Sequence, residues 1–320
     1  MKEFDIIKNY FLSRSYQRKD VQLGIGDDCA LTTVPEGQQL VTTTDTLAES
    51  VHFPKGTSGR AVAHKALSVN LSDLAAMGAE PAWISLSLSI PEYDEAWLRD
   101  FSLCLQELTD YYSIQLIGGD TVQGPLSITI TAQGFVPQGQ ALMRSKAKPG
   151  DWIYVTGTLG DAGLGLELLQ TEKAAEPMHR NYLINRLNFP SPRLMVGTTL
   201  RRLATTCIDL SDGLKSDVQH ILFASQTGAV INVEQLPLSE AMLATVGKDE
   251  GIRYALTAGD DYELLFTVSE EQKGSLEVAL ANCNVSATCI GRINGVQEKL
   301  ELQRGDKPYQ LPETGFQHFS

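Results

Sequence analysis

The chain has 320 residues, 42% hydrophobic and 20% charged, an ordinary globular composition long enough for two domains at roughly 100–200 residues each. Its formal net charge of −13 argues against a general nucleic-acid binder, which needs Lys and Arg to displace counterions from phosphates. No apolar run approaches the roughly 20 residues that span a bilayer, and five scattered cysteines without a CxxC pair argue against a disulfide framework or a structural zinc site.

The N-terminal stretch MKEFDIIKNYFLSRS mixes charges into apolar residues at helical spacing and lacks the uninterrupted apolar region of a signal peptide, so residues 3–13 are expected as an amphipathic helix of a cytoplasmic protein. QQLVTTTDT (38–46) reads as a strand with a polar end, and TSGRAVAHKALSVNLSDLAAM (57–77) carries Ala and Leu at helical spacing. AWISLSLSI (82–90) alternates as a half-buried strand does; a helix at about 94–111 and strands at 114–117 and 126–136 follow. Pro, Gly and basic residues concentrate in VPQGQALMRSKAKPGDW, which places the domain boundary near residue 148, giving units 1–148 and 149–320. The second half holds the strand DWIYVTG, a Gly-rich turn into a helix, and helices near 179–187 and 192–203. CIDLSDGL, a helix at 214–225, the strands AVINV and YELLFTV, a helix at 269–281 and the strand ATCIGRI complete it. Both halves mix helices with strands, which predicts a two-domain α/β or α+β protein.

Acidic motifs recur at expected strand ends and loops: GIGDDCA (Asp27, Asp28), TTTDT (Thr43, Thr44, Asp45), NLSDLAAMG (Asp73), IGGDT (Gly118, Gly119, Asp120) and IDLSDGL (Asp209, Ser211, Asp212). Singly, an Asp after a strand is a helix cap or a turn former more often than a ligand. Asp73 is different, because it sits inside a predicted helix among Leu71, Leu74 and Ala75. Together, carboxylates beside Gly, Ser and Thr suit hard cations, which take oxygen ligands and relieve the repulsion between clustered acids. No GxxxxGK[ST], HExxH or GxSxG occurs, which removes P-loop NTPases, zincins and serine hydrolases of the usual pattern. TGTLGDAGLG (156–165) follows a strand and opens a helix, but its glycines do not fit GxGxxG, so it reads as a tight turn.

GIGDDCA, TTDTLAESVHF, KALSVNLSDLAAMGAEPAW, QLIGGDT, KPGDWIYVTGTLGD, IDLSDGL and DDYELLF, in this order, resemble the bacterial thiamine-monophosphate kinases over nearly the whole chain. That resemblance implies the two-domain fold shared with aminoimidazole-ribonucleotide synthetase and a homodimer formed through the N-terminal sheet. It also implies phosphorylation of thiamine monophosphate by ATP with several Mg²⁺ ions. Carried over by position, it marks Asp28, Thr43, Thr44, Asp45, Asp73, Asp120, Asp209 and Asp212 as metal ligands. Tyr112, Gly119, Asp120, Arg144 and Ser211 match ATP contacts, and His52, Asp260 and Phe316 match substrate contacts. One departure stands out, since the family usually has Glu where this chain has Asp260 in AGDDYEL. The alternatives are another ATP-dependent synthetase of the same superfamily and, in a different class, an NAD-dependent oxidoreductase using TGTLGDAGLG; the second leaves the acidic motifs unexplained.

Overall fold

The computed structural model describes residues 3–12 and 16–311, so Phe316 lies outside the described residues. The described chain divides into two compact units. The first takes the residues up to Leu74 with Ala79–Gly139, and the second takes Ala75–Gly78 with the residues from Gln140 onward.

In the first unit a short helix α1 (Glu3–Ile6) runs into a π-helical turn, Ile7–Phe11, where the sequence predicts one continuous helix. A two-stranded ribbon follows, β1 (Val21–Leu23) antiparallel to β2 (Leu31–Thr32). The remaining elements are β3 (Gln38–Ala48), α2 (Gly59–Ala76), β4 (Glu80–Ile90), α3 (Glu95–Tyr112), β5 (Gln115–Gln123) and β6 (Ser127–Pro137). They build a four-stranded sheet in the order β3-β6-β4-β5, with β4 and β5 parallel and the other pairs antiparallel. Period-two alternation sorts its faces. Leu86 and Leu88 lie opposite Ile130 and Ile128 on the buried face. On the other face Thr46, Thr129, Ser87 and Asp120 form one cross-strand row. α2 is buried almost all round, with Val62, Ala63, Leu67, Leu71 and Leu74 inside, and it also buries Lys65, Ser68, Asn70 and Ser72. α3 is amphipathic and begins at Asp94, whose carboxylate accepts the amides of Ala96 (2.9 Å) and Trp97 (3.0 Å).

The second unit comprises β7 (Trp152–Thr156), α4 (Asp161–Gln170), α5 (Pro177–Asn188), α6 (Leu194–Leu200), β8 (Ala204–Asp209), α7 (Leu214–Ser225) and β9 (Gly228–Asn232). It continues with α8 (Glu240–Thr257), β10 (Leu264–Val268), α9 (Lys273–Leu280), β11 (Ala287–Asn294), β12 (Leu300–Arg304) and β13 (Lys307–Pro308). The seven-stranded sheet runs β13-β12-β9-β11-β7-β10-β8, parallel only between β12 and β9. Every residue of β10 is buried, as a strand covered on both faces requires. Ile153, Val155, Ile208 and Leu265 share one core with Val218 and Leu222 of α7 and Ile252 and Leu256 of α8. Tyr154, Cys207, Leu264 and Phe266 face the other way, into a core with Leu200 of α6 and Leu276 of α9.

Candidate active site

Thr43 and Asp45 project from β3 toward the helix α2, which carries Asp73. The Thr43 hydroxyl donates to Asp73 Oδ2. Burial, followed by the charge of Asp73 and a hydrogen bond with it, pushes Asp45 up to about 6. Two carboxylates and a hydroxyl thus share a half-buried pocket of charge that opposes its own ionisation. An all-oxygen set of this kind fits a hard divalent cation, which removes the repulsion that lifts Asp45. Thr44, the next residue, turns to the opposite face of the sheet and shares a hydrogen bond with Thr131 Oγ1 at 2.7 Å. Asp120 is exposed on that same hydroxyl-lined face, opposite Ser87, with Oδ1 accepting the Thr121 amide at 2.9 Å. Gly119 precedes it at φ +154°, where a Cβ would lie 1.9 Å from the Leu86 carbonyl oxygen, so only glycine lets β5 approach β4 there.

The other predicted residues of this unit come from the β1–β2 loop, the end of α3 and the turn after β3. Asp28 is exposed in the loop between β1 and β2, its amide donating to Asp27 Oδ1 at 2.8 Å. Tyr112 closes α3, edge-on to Tyr111 with ring centroids 4.8 Å apart. His52 Nδ1 accepts the Ala48 amide at 3.0 Å, which puts the proton of the neutral ring on Nε2. The His52 carbonyl accepts from Nζ of the buried Lys65 at 2.9 Å.

In the second unit Asp209 ends β8 and is buried, and Ser211 and Asp212 follow in the turn before α7. Asp217, from the first turn of α7, accepts the Asp212 amide at 3.1 Å. Burial pushes it up to about 7, with the Asp212 charge adding to the rise and the Ser211 and Asp212 amides and Arg144 opposing it. Among the described residues, Asp212, Asp217 and His220 bring one ligand atom each within 4.8 Å of one another. Asp217 and His220 were missed by motif reading; their signal is the spacing that returns both to the Asp212 end of α7. Arg144 is exposed, and its carbonyl accepts the Ser225 hydroxyl at 2.7 Å.

Asp260 lies in the loop entering β10, zipped to the IDLSDGL motif. Its amide donates to Ser211 O (2.9 Å), Tyr262 N donates to Leu210 O (2.8 Å), and Leu210 N donates to Glu263 O (2.8 Å). Asp260 and Tyr262 both hold left-handed backbone, at φ +68° and +49°. Such residues cost about 1–3 kcal/mol each and persist only where surroundings fix them. The Tyr262 hydroxyl donates to Asp260 Oδ1 at 2.9 Å. The glycine-rich turn between β7 and α4 does not offer a nucleotide its amide at the helix start. The Gly160 N–H is taken by both oxygens of Asp261, at 3.0 and 2.8 Å, which removes the donor a dinucleotide-binding turn would need.

Comparison with known proteins agrees with this architecture. Residues 26–136 match the AIR synthase related protein, N-terminal domain, and residues 148–302 match the AIR synthase related protein, C-terminal domain. The class is therefore that of AIR synthase-related two-domain proteins. Within it, the chain is 51% identical to the thiamine-monophosphate kinase of Escherichia coli (strain K12), across 99% of this chain and 98% of the relative. The crystal structure of thiamine-monophosphate kinase from Stenotrophomonas maltophilia K279a superposes with a TM-score of 0.85 at 44% identity, covering 89% of this chain and 92% of that one. AaThiL complexed with AMPPCP and TMP follows at TM-score 0.78 and 32% identity, covering 92% of each chain. This chain belongs to the thiamine-monophosphate kinase family.

Proposed function

We propose that this chain transfers the γ-phosphoryl group of ATP directly to the phosphate of thiamine monophosphate, giving thiamine diphosphate and ADP. The observation that carries this reading is 51% identity to a thiamine-monophosphate kinase over 99% of the chain. The AMPPCP and TMP held by AaThiL supply the same pair of ligand types, a nucleoside-triphosphate analogue and TMP.

At neutral pH a phosphate monoester carries most of its second negative charge, with a pKa near roughly 6, so the acceptor oxygen is nucleophilic without a general base. The barrier is repulsion between phosphates and the alignment of donor with acceptor. We therefore assign the aspartates as cation ligands and not as acid–base groups. Asp45, Asp73 and Thr43 form the best supported set, because hydrogen bonds already join them and burial already opposes the ionisation of Asp45. Asp28, Thr44, Asp120, Asp209 and Asp212 complete the proposed ligands. Bound Mg²⁺ at these carboxylates supplies charge neutralisation of phosphate oxygens. Tyr112, Gly119, Asp120, Arg144 and Ser211 are proposed to hold ATP, with the Arg144 guanidinium neutralising phosphate. His52, Asp260 and Phe316 are proposed to hold thiamine monophosphate, with Asp260 near its cationic thiazolium ring.

Further parts of the proposal are a homodimer and a cytoplasmic location. The dimer is supported by the hydroxyl-lined face of the four-stranded sheet, where Thr42, Thr44, Thr46 and Ser87 lie exposed. The location fits the finding that, among the described residues, no helix is long and apolar enough to cross a membrane. An acceptor panel tests the reaction. ADP should form with thiamine monophosphate and Mg-ATP, and not with thiamine or with water as acceptor. ADP release at one rate regardless of acceptor would sink it.

A further inference from the structure

A buried ionic cluster stands behind the loop that carries Asp260, and neither the acidic motifs nor the proposed ligand contacts use it. Glu263 is 1% exposed. Its Oε2 accepts from Arg193 Nε and from the Thr156 hydroxyl, both at 2.6 Å; its Oε1 accepts from Arg193 (2.5 Å) and Arg186 (2.9 Å). The Thr156 hydroxyl accepts the Leu264 amide in turn, at 2.8 Å. Gly157 makes room for the carboxylate: a Cβ there would stand 2.1 Å from Glu263 Oε1. Two residues earlier, the buried Asp261 grips the Gly160 amide with both oxygens. Asp161 completes the group, accepting from Ser239 Oγ at 2.5 Å and Thr158 Oγ1 at 2.6 Å, with Arg186 Nε at 3.7 Å.

Side chains from β7, α5 and the residue before α6 thus converge on Glu263, and the Gly160 amide that opens α4 holds Asp261. These two alternate with the left-handed residues Asp260 and Tyr262. Left to itself, such a backbone relaxes toward ordinary strand values. Here every second side chain is clamped, so the intervening residues are held. A cluster of this size is a poor way to gain stability alone, because apolar packing of the same volume serves as well or better. What it specifies is geometry.

We infer that Glu263, through the fork of Arg193 and the guanidinium of Arg186, is a positioning residue that fixes the 259–262 loop and so aims Asp260 at thiamine monophosphate. The inference rests on the reading of Asp260 as a substrate contact. It adds residues that reach no ligand and act through the backbone.

The test compares the wild-type full chain with Glu263→Gln, Arg193→Lys, Asp260→Ala and the two double variants that contain Asp260→Ala. Steady-state kinetics give KM for thiamine monophosphate and for ATP, and hydrogen–deuterium exchange reports the amides of 258–264. Glu263→Gln should raise KM for thiamine monophosphate by about ten- to a hundredfold, the scale of a misplaced contact, with KM for ATP little changed. It should also speed exchange in 258–264 without touching the four-stranded sheet. In the Asp260→Ala background the same change should have almost no further effect on KM, because the group it aims is gone. Where Glu263→Gln does not fold, Arg193→Lys carries both readouts, since it keeps the charge but loses the fork. Unchanged exchange in 258–264 overturns the inference. So does a KM effect of equal size in both backgrounds, which is the signature of a merely structural role. Wild-type KM in Asp260→Ala overturns it while leaving the kinase standing. A wild type that makes no thiamine diphosphate defeats the functional reading instead, and the exchange result alone then decides whether Glu263 fixes the loop.

Discussion

Asp45 and Asp73 face each other across the gap between β3 and α2, and neither gains stability from the other's charge. Asp45→Asn should lower turnover by about 10²–10³-fold, the usual cost of removing one group that stabilises charge in a transfer reaction. The same change should leave the melting temperature unaltered or higher, because it relieves the repulsion that lifts Asp45. Wild-type turnover of this variant at limiting Mg²⁺ would remove Asp45 from the ligand set. Asp261 makes a second prediction. Burial raises it well above the ordinary carboxylate range, against the Gly160 amide and Arg186. A folded-state value above the unfolded one means that the folded chain holds the proton more tightly. Its contribution to stability is therefore present below about pH 4 and is lost as pH rises through the folded value. Asp261→Asn keeps an acceptor for Gly160 and does not ionise, so its melting temperature relative to wild type should climb as pH rises above about 4. A difference that falls over this range would contradict the assignment. At this scale the sequence singled out Thr43, Asp45 and Asp73 in two separate motifs, and the structure joins them by hydrogen bonds. The turn of Thr44 away from Thr43 was legible too, from alternation alone. The clamp on Glu263 was not, since Thr156, Arg186 and Arg193 come to it from distant stretches of chain and no local pattern links them.

Strong periodicity made most elements readable, and their ends follow local chemistry. The cap on α3 is one such end. Asp94 serves two amides, so Asp94→Ala should cost about 0.5–2 kcal/mol, seen as a lower midpoint in urea at unchanged slope. No loss of stability would show that water replaces the cap. Elements escaped where glycine or composition broke the pattern. α8 was not expected, because Gly247, at φ +76° and ψ 176°, interrupts it and splits its apolar residues into two short runs. β5 extends to Gln123, well past the predicted 117, because its IGGDT stretch carries glycines where strand residues usually signal pairing. The N-terminal helix is the reverse case. Its periodicity was real, but the structure winds it as one short α turn followed by a π turn.

On the scale of the whole molecule, the four-stranded sheet leaves a face of small hydroxyls with the carboxylate of Asp120 among them. The proposed homodimer should show a solution mass twice that of the 34.9 kDa chain by light scattering. Thr129→Arg, which sets a charge in the middle of that face, should halve it. A wild-type monomer would refute the dimer. The chemical class was visible in the order of the motifs along the chain, and a division into two units was expected from its length and its Pro-, Gly- and basic-rich middle stretch. What the motifs did not contain was the internal scaffolding of each unit, which is made by contacts remote in sequence. The most direct measurement of the central claim is the reaction itself: purified protein with ATP, Mg²⁺ and thiamine monophosphate, with products separated by chromatography. The account predicts thiamine diphosphate and ADP in equal amounts, both lost on adding EDTA. Folded protein that binds ATP with Mg²⁺ and yields no thiamine diphosphate would contradict it.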